Sequence, residues 1–280
     1  MDIKYKILKL KNSKIEEIKD PVSVEEPLEM RLKYKIKNKW EIQNISITMR
    51  TPGNDEDLIR GFLYNERIIE NINEIDSIEH QGDTSGDYNL QNIIEATINK
   101  TDNLEIGKLK RNFVTNSSCG VCGKTSLDSI EVIKKNKIDL SYPKIKEEII
   151  LHSPKLLINE QSEFAKTGGI HASALIDEDG KVVATREDVG RHNALDKLIG
   201  YTITNNLLNS KKQFIACSGR LNFELVQKGL MSNIGIMAGV GAPTSLAIDL
   251  AKRFDMTLLG FVKESSFNIY SNKNRIIIKN

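Results

Sequence analysis

Two cysteines separated by two residues, Cys119 and Cys122, stand inside a run that reads SSCGVCGK. Thiols at this spacing can share a proton, close a reversible disulfide or bind a metal. Glycines flank them, and Lys124 nearby favours the thiolate. A thiolate so placed can accept the terminal sulfur of another protein's persulfide and pass it on, by the same nucleophilic exchange that drives disulfide chemistry. The competing use is a zinc clip, which needs two further ligands. The third cysteine, Cys217, sits in an apolar strand-like run and reads as buried, so histidines would have to complete such a site. Idle cysteines are disfavoured, because exposed free thiols are a liability. No metal ligand set is assigned.

Three other segments carry chemistry-bearing side chains. REDVGRHNALDKLIG, residues 186–200, crowds Arg186, Glu187, Asp188, Arg191 and His192 at a strand-to-helix junction. Such junctions are where ligands bind in open α/β sheets, and a helix N-terminus beside Arg191 suits a phosphate. The plainer use of the same residues is a capping cluster, with Asp188 satisfying backbone donors. CSGR, residues 217–220, ends a strand in Gly219, which permits close backbone approach, and Arg220, which can hold a carboxylate or phosphate. GVGAPTSLA, residues 239–247, is a glycine-rich strand end that meets a helix capped by Thr244 or Ser245. One glycine-rich turn often only permits tight packing. Three similar junctions in one sheet can face a single crevice. His171 follows two glycines at the start of a strand and joins the candidates, whereas His80 and His152 read as surface or packing residues.

These residues need a scaffold. EMRLKYKIKN and KWEIQNISITMR alternate with period two and predict a hairpin turning at Asn38 and Lys39. Pro52 and Gly53 form a turn, and Asn54 or Asp55 can cap the short helix that follows. Residues 74–80 and 91–98 read as a strand pair across a turn-rich QGDTSGD. Residues 113–125 read as an exposed loop, followed by a helix capped by Ser126. A helix over 143–164 is expected to break at Pro154. HASALID and KVVATRE flank a hairpin turn at Glu178, Asp179 and Gly180. Helices and strands then alternate to the end, which predicts a sheet with parallel members and helices on its faces. The chain divides as a β-rich α+β subdomain over 1–114, a cysteine loop over 115–125 and an α/β domain over 126–280.

Bulk properties exclude several classes. A net charge of +2 over 280 residues is not the one-sided basic field of a nucleic-acid binder. No apolar run approaches membrane-spanning length, and the N-terminus MDIKYKILKLKNSK has no signal-peptide core. Three cysteines without an export signal argue for a cytoplasmic protein with reactive or metal-binding thiols, not for a disulfide framework.

SSCGVCGK, TGGIHASAL, REDVGRHNALDKLIG, SGRLNFELVQK, VGAPTSLA and LLGFVKESSFNIY occur in this order at compatible distances. Together with RTPGNDEDLIRGFLYNERII they resemble the formate dehydrogenase accessory sulfurtransferase family over residues 28–272. The resemblance implies a cytidine-deaminase-like three-layer fold for the C-terminal part. It implies a persulfide on Cys119, with Cys122 as its partner, loaded by a cysteine desulfurase. The sulfur would pass to a bis(molybdopterin guanine dinucleotide) molybdenum cofactor before that cofactor enters the formate dehydrogenase catalytic subunit. The stretch matching the family's cofactor contacts is Phe261, Val262, Lys263, Glu264, Ser265 and Ser266, here less basic than an anionic cargo favours. His171, Arg191, His192 and Arg220 join it from the residue reading, and a homodimer is implied. Three rivals stand beside this. A zinc-dependent nucleobase deaminase needs His-x-Glu and then Pro-Cys-x-x-Cys, but His171 is followed by Ala172 and Ser173, and no proline precedes Cys119. A thiol–disulfide oxidoreductase would place its cysteines at a helix N-terminus. A pure cofactor chaperone would tolerate loss of both cysteines.

Overall fold

The computed structural model describes residues 2–84, 88–99 and 137–279. Cys119, Cys122, Lys124 and Ser126, with the loop and helix expected around them, lie outside the described residues. The chain opens with a hairpin of β1 (Asp2–Lys11) and β2 (Lys14–Ser23), turning at Asn12 and Ser13 with φ of 51° and 61°. β3 (Glu26–Ile36) and β4 (Lys39–Arg50) form a second hairpin. Its turn lies at Lys37 and Asn38, one residue earlier than the sequence suggests, because those two adopt the left-handed conformation at φ 46° and 64°. α1 (Asp55–Asn65) follows, then β5 (Ile75–Gln81) and β6 (Ile93–Ile98). These strands make a four-stranded sheet in the order β4-β3-β6-β5, with β6 antiparallel to β5 and parallel to β3.

β7 (Ile145–Lys146) precedes α2 (Glu147–Glu160) and α3 (Ser162–Thr167). The helix does not break at Pro154, contrary to the sequence expectation; it runs on to Glu160 and breaks at Gln161. A proline leaves the carbonyl four residues back without its partner. Here the Ser153 hydroxyl donates to that Ile150 carbonyl at 2.7 Å and repairs the ladder.

The remaining chain forms β8 (His171–Asp177), β9 (Val182–Asp188), α4 (Arg191–Thr204), β10 (Gln213–Cys217), α5 (Phe223–Met231), β11 (Ile236–Gly239), α6 (Ser245–Arg253), β12 (Thr257–Lys263), β13 (Ser266–Ser271) and β14 (Ile276–Ile277). Six of these strands build one sheet in the order β13-β12-β11-β10-β8-β9, in which β10, β11 and β12 run parallel. The side chains of β10 are buried throughout, as expected of a strand covered on both faces. One face packs Leu175, Ile215 and Met237 against α4, α5 and α6. The other packs Ala174, Phe214 and Ala238 against α2. This is the expected α/β class, a sheet with helices on both faces.

The four-stranded sheet buries Leu28, Leu32 and Ile94 against Leu58, Ile59 and Leu63 of α1. The other side of α1 lies on α4, backbone against backbone. A Cβ on Gly61 would stand 2.6 Å from the Asp196 carbonyl carbon, and one on Gly200 would stand 2.8 Å from Gly61 N. The α1–α4 helix pair, through which the small sheet lies against the large one, is therefore packed at the van der Waals limit.

Candidate functional site

The parallel strands β10, β11 and β12 all end at one edge of the large sheet, and β8, antiparallel to β10, begins there. The turns after these strands are sewn into a crest. Val240 N donates to the Cys217 carbonyl at 3.0 Å, Gly241 N to Gly219 at 3.2 Å, and Phe261 N to Gly241 at 3.1 Å. Thr244 precedes α6, but its side chain makes no capping bond and Ser245 is already inside the helix. The backbone links to Leu221 and Ala242 hold that turn instead: Leu221 N donates to Ala242 and Thr244 N to Leu221.

His171, Arg191, His192 and Arg220 meet at this crest. A Cβ on Gly219 would lie 3.2 Å from His171 Nδ1 and 3.9 Å from Arg191 Cδ, so glycine is what lets them close up. Ser218 Oγ accepts from Ala172 N at 2.9 Å and lies 3.4 Å from His171 Nδ1. Burial, and then the charges of Arg191, His192 and Arg220, push the His171 imidazole below its ordinary pKa. A neutral His171 beside two guanidinium groups makes a site whose net character is cationic. Arg191 Nε is buried without a hydrogen-bond partner among the described residues. His192 Nε2 is 2.9 Å from Glu224 Oε2 and 3.1 Å from Asn222 Oδ1.

The Phe261 to Ser266 stretch divides. Phe261 takes a left-handed φ of 52°, costly for a bulky residue, at an irregularity in the pairing of β12 with β13. The residue is 44% exposed on the crest. Val262 turns the other way and is buried in the core under the crest, so its side chain cannot line a cargo site. Lys263 pairs with Ser266 across a two-residue turn of Glu264 and Ser265, and all four are exposed. Cys217 is fully buried beside Ser173, with its thiol pushed up to about 11 by burial, which makes it a poor nucleophile.

The other half of REDVGRHNALDKLIG does structural work. Asp188 is wholly buried and accepts from Thr51 N at 3.1 Å, Gly190 N at 2.8 Å, Asn193 Nδ2 at 3.1 Å and Lys197 Nζ at 2.7 Å. Burial disfavours its charge, and Lys197 and the other donors oppose that. Lys197 also donates to the Thr51 carbonyl at 2.8 Å, and Thr51 Oγ1 accepts from Val189 N at 3.1 Å. The Arg50–Thr51 segment of the small sheet is thereby locked to the base of the crest. Neither Asn54 nor Asp55 caps α1 by its side chain: Asn54 makes no such bond, and Asp55 is taken by Arg50 Nη2 at 3.1 Å.

A cleft of about 580 Å³ opens beyond this lock, lined by Arg50, Asp55, Asp57, Arg60, His80 and Gln91 among others. Its charges are paired within the protein, Arg186 with Asp57 at 3.0 Å and Arg60 with Glu56 at 2.8 Å. The crest, with its unsatisfied guanidinium nitrogen and converging cations, is the better ligand site. Sequence reading missed Thr51, Asn222 and Glu224. Asn222 carried a signal, since it sits at a strand-to-helix junction and accepts from Leu225 N as an N-cap. Among the described residues, no three His, Cys, Asp or Glu side chains converge as a metal-holding group, and no helix is long and apolar enough to cross a membrane.

Comparison with known proteins identifies the family. The family described as FdhD/NarQ matches residues 24–277. A "Sulfur carrier protein FdhD" of Sulfurisphaera tokodaii is 38% identical over 274 residues, covering 98% of each chain. A protein of the same name from Picrophilus torridus is 40% identical over 260 residues, covering 93% of each. A crystal structure described as a formate dehydrogenase accessory protein from Desulfotalea psychrophila has the same fold, with a TM-score of 0.71, 20% identity and 99% of each chain covered. This chain belongs to the FdhD/NarQ family.

Proposed function

We propose, with membership of the FdhD/NarQ family as the premise, that the protein is a sulfur carrier serving formate dehydrogenase. The relatives' names supply the class of reaction, and the cationic crest is the observation that supports an anionic cargo. Cys119 accepts a persulfide sulfur from a cysteine desulfurase, with Cys122 as its partner. In the persulfide, Cys119 Sγ is bonded to the carried sulfur. When an acceptor attacks that outer sulfur, a bond to the acceptor forms, the S–S bond breaks, and its electron pair returns to Cys119 as thiolate.

The acceptor is the bis(molybdopterin guanine dinucleotide) molybdenum cofactor, bound as cargo before insertion into the formate dehydrogenase catalytic subunit. Arg191 and Arg220 suit its phosphates, since guanidinium groups present paired donors to phosphate oxygens. The strand-to-helix junctions beside them point backbone N–H groups and helix dipoles the same way. The exposed ring of Phe261 offers an apolar face for the flat ring systems of the cargo. The setting is the cytoplasm, where thiols stay reduced. The assembly is a homodimer, a reading supported by the exposed Leu8, Leu10, Ile15, Trp40 and Ile42 of β1, β2 and β4.

The test is transfer of label. Protein loaded with radioactive sulfur is mixed with the cofactor-bearing catalytic subunit, and the label is followed. Movement of label to the cofactor with gain of formate dehydrogenase activity is expected. Activation of the enzyme by unloaded or cysteine-free protein would replace this reading with that of a cofactor chaperone.

A further inference from the structure

One pair at the crest has more structure than phosphate binding by arginine requires. Glu224 opens the first turn of α5 and faces His192 at the start of α4. A carboxylate only accepts, so the contact of 2.9 Å between Glu224 Oε2 and His192 Nε2 places a proton on Nε2. Asn222 Oδ1 is a second acceptor, 3.1 Å from the same nitrogen, and its amide is oriented by accepting from Leu225 N at 3.2 Å. Asn222 Nδ2 is as near, at 3.0 Å, but the carboxylate decides the tautomer. The remaining nitrogen, Nδ1, is then the one whose protonation changes the ring's charge. This is the arrangement by which a buried carboxylate orients an imidazole and stabilises its cation.

We propose that Glu224 and Asn222 position His192 so that a phosphate docking at the crest draws one proton from solvent onto Nδ1, making capture of the anion proton-coupled. The inference rests on the reading of the crest as a phosphate site. The charged groups of the crest act in opposing senses. Arg191 on α4, Arg220 after β10 and Asp188 at the end of β9 bear on His171 of β8, which in turn bears on His192. Glu224 faces His192 directly and favours its positive charge, while Lys228 on α5 acts on Glu224. A docked anion shifts that balance towards the imidazolium. Burial works against the Glu224 carboxylate, but the hydrogen bond and charge of His192 prevail and hold it below the ordinary glutamate range. Its other oxygen, Oε1, is buried without a hydrogen-bond partner among the described residues, so its hydrogen bonding runs through Oε2. Glu224 is a positioning residue here, because it acts through His192.

The experiment is calorimetric titration of the full-length protein with inorganic pyrophosphate between pH ~8 and ~5, the span in which an imidazole changes charge. It is repeated in buffers of different ionisation heat, which counts protons taken up. His192→Gln serves as the reference, so that the ligand's own protonation cancels. Wild type is expected to take up more protons than His192→Gln, with affinity rising by up to about tenfold per pH unit relative to it. Glu224→Gln keeps the shape and removes the charge. Its affinity is expected to fall most in the middle of that range, where wild type takes up the proton and the variant does not, and to recover towards the acid end. Binding with proton uptake equal to that of His192→Gln would overturn the inference, as would a Glu224→Gln deficit that is the same at every pH. Failure of wild type to bind pyrophosphate at all would overturn the phosphate reading of the crest, and this inference with it. A second readout is independent of ligand: with four histidines in the chain, nitrogen spectra resolve each ring, and His192 must show the Nε2–H tautomer. The Nδ1–H tautomer would refute the geometry.

Discussion

Adding one methyl group at Gly61 tests how the two sheets are joined. The new Cβ would lie 2.6 Å from the carbonyl carbon of Asp196 and 3.0 Å from its Cα, and closer still to its oxygen. Ordinary contacts begin near 3.4 Å. Backbone cannot rotate away as a side chain can, so α1 and α4 must separate by about an ångström. Overpacking of this kind costs about 1–3 kcal/mol, and backbone contact places it at the upper end. Alanine recovers at most about 1 kcal/mol of helix propensity over glycine. The net loss is therefore about 2 kcal/mol, or a fall of roughly 4–8 °C in Tm for a chain of this size. The disturbance also pulls on Asp196, whose carboxylate holds Asn65 Nδ2 at 2.7 Å and Lys228 Nζ at 2.9 Å. Thermal unfolding of Gly61→Ala beside Gly169→Ala is the assay. A Cβ on Gly169 would meet nothing closer than Ser23 Oγ at 3.7 Å, so that variant should stay near wild type. Gly61→Ala as stable as wild type would refute the close approach of α1 and α4.

Three further outcomes follow from the site. Asp188→Asn should cost about 3–5 kcal/mol in urea unfolding, because it strands the buried Lys197 ammonium without its counter-charge; a loss under about 1 kcal/mol would mean water reaches the pair. His171 is held neutral in the folded protein, so below about pH 6.5 the unfolded chain takes up a proton that the folded one resists. Stability should therefore fall as pH drops through that value towards the lowered folded pKa, and His171→Gln should lose part of the fall in a Tm series against pH; an unchanged slope would count against it. Arg220→Ala should weaken binding of the anionic cargo about tenfold while leaving persulfide loading intact, since removing a charge-assisted hydrogen bond costs about 1.5–3 kcal/mol; unchanged affinity would remove Arg220 from the site.

Much of this architecture is legible in the amino-acid sequence alone. Period-two alternation marks β3 and β4, and the short apolar run QFIAC marks a strand covered on both faces. The crest residues His171, Arg191 and Arg220 stand out because they lie at strand ends beside glycines. Local rules fail where tertiary partners replace them. Pro154 does not break α2 because the neighbouring serine supplies the missing donor. Thr244 does not cap α6 because the Leu221 carbonyl already holds that turn through Thr244 N. The double nature of REDVGRHNALDKLIG is unreadable as sequence, since Asp188 finds Thr51, 137 positions away, only once the fold is made. Glu224 is invisible for the same reason: an acidic residue in a first helical turn is ordinary until His192 is found opposite it.

The central claim is that Cys119 carries sulfur. Its most direct test is the intact mass of wild type, Cys119→Ala and Cys122→Ala after incubation with a cysteine desulfurase and cysteine. The account predicts that wild type gains the mass of a sulfur atom, that reductant removes it, and that Cys119→Ala gains nothing. A wild-type protein that gains no sulfur, or a Cys119→Ala variant that loads as well as wild type, would contradict it.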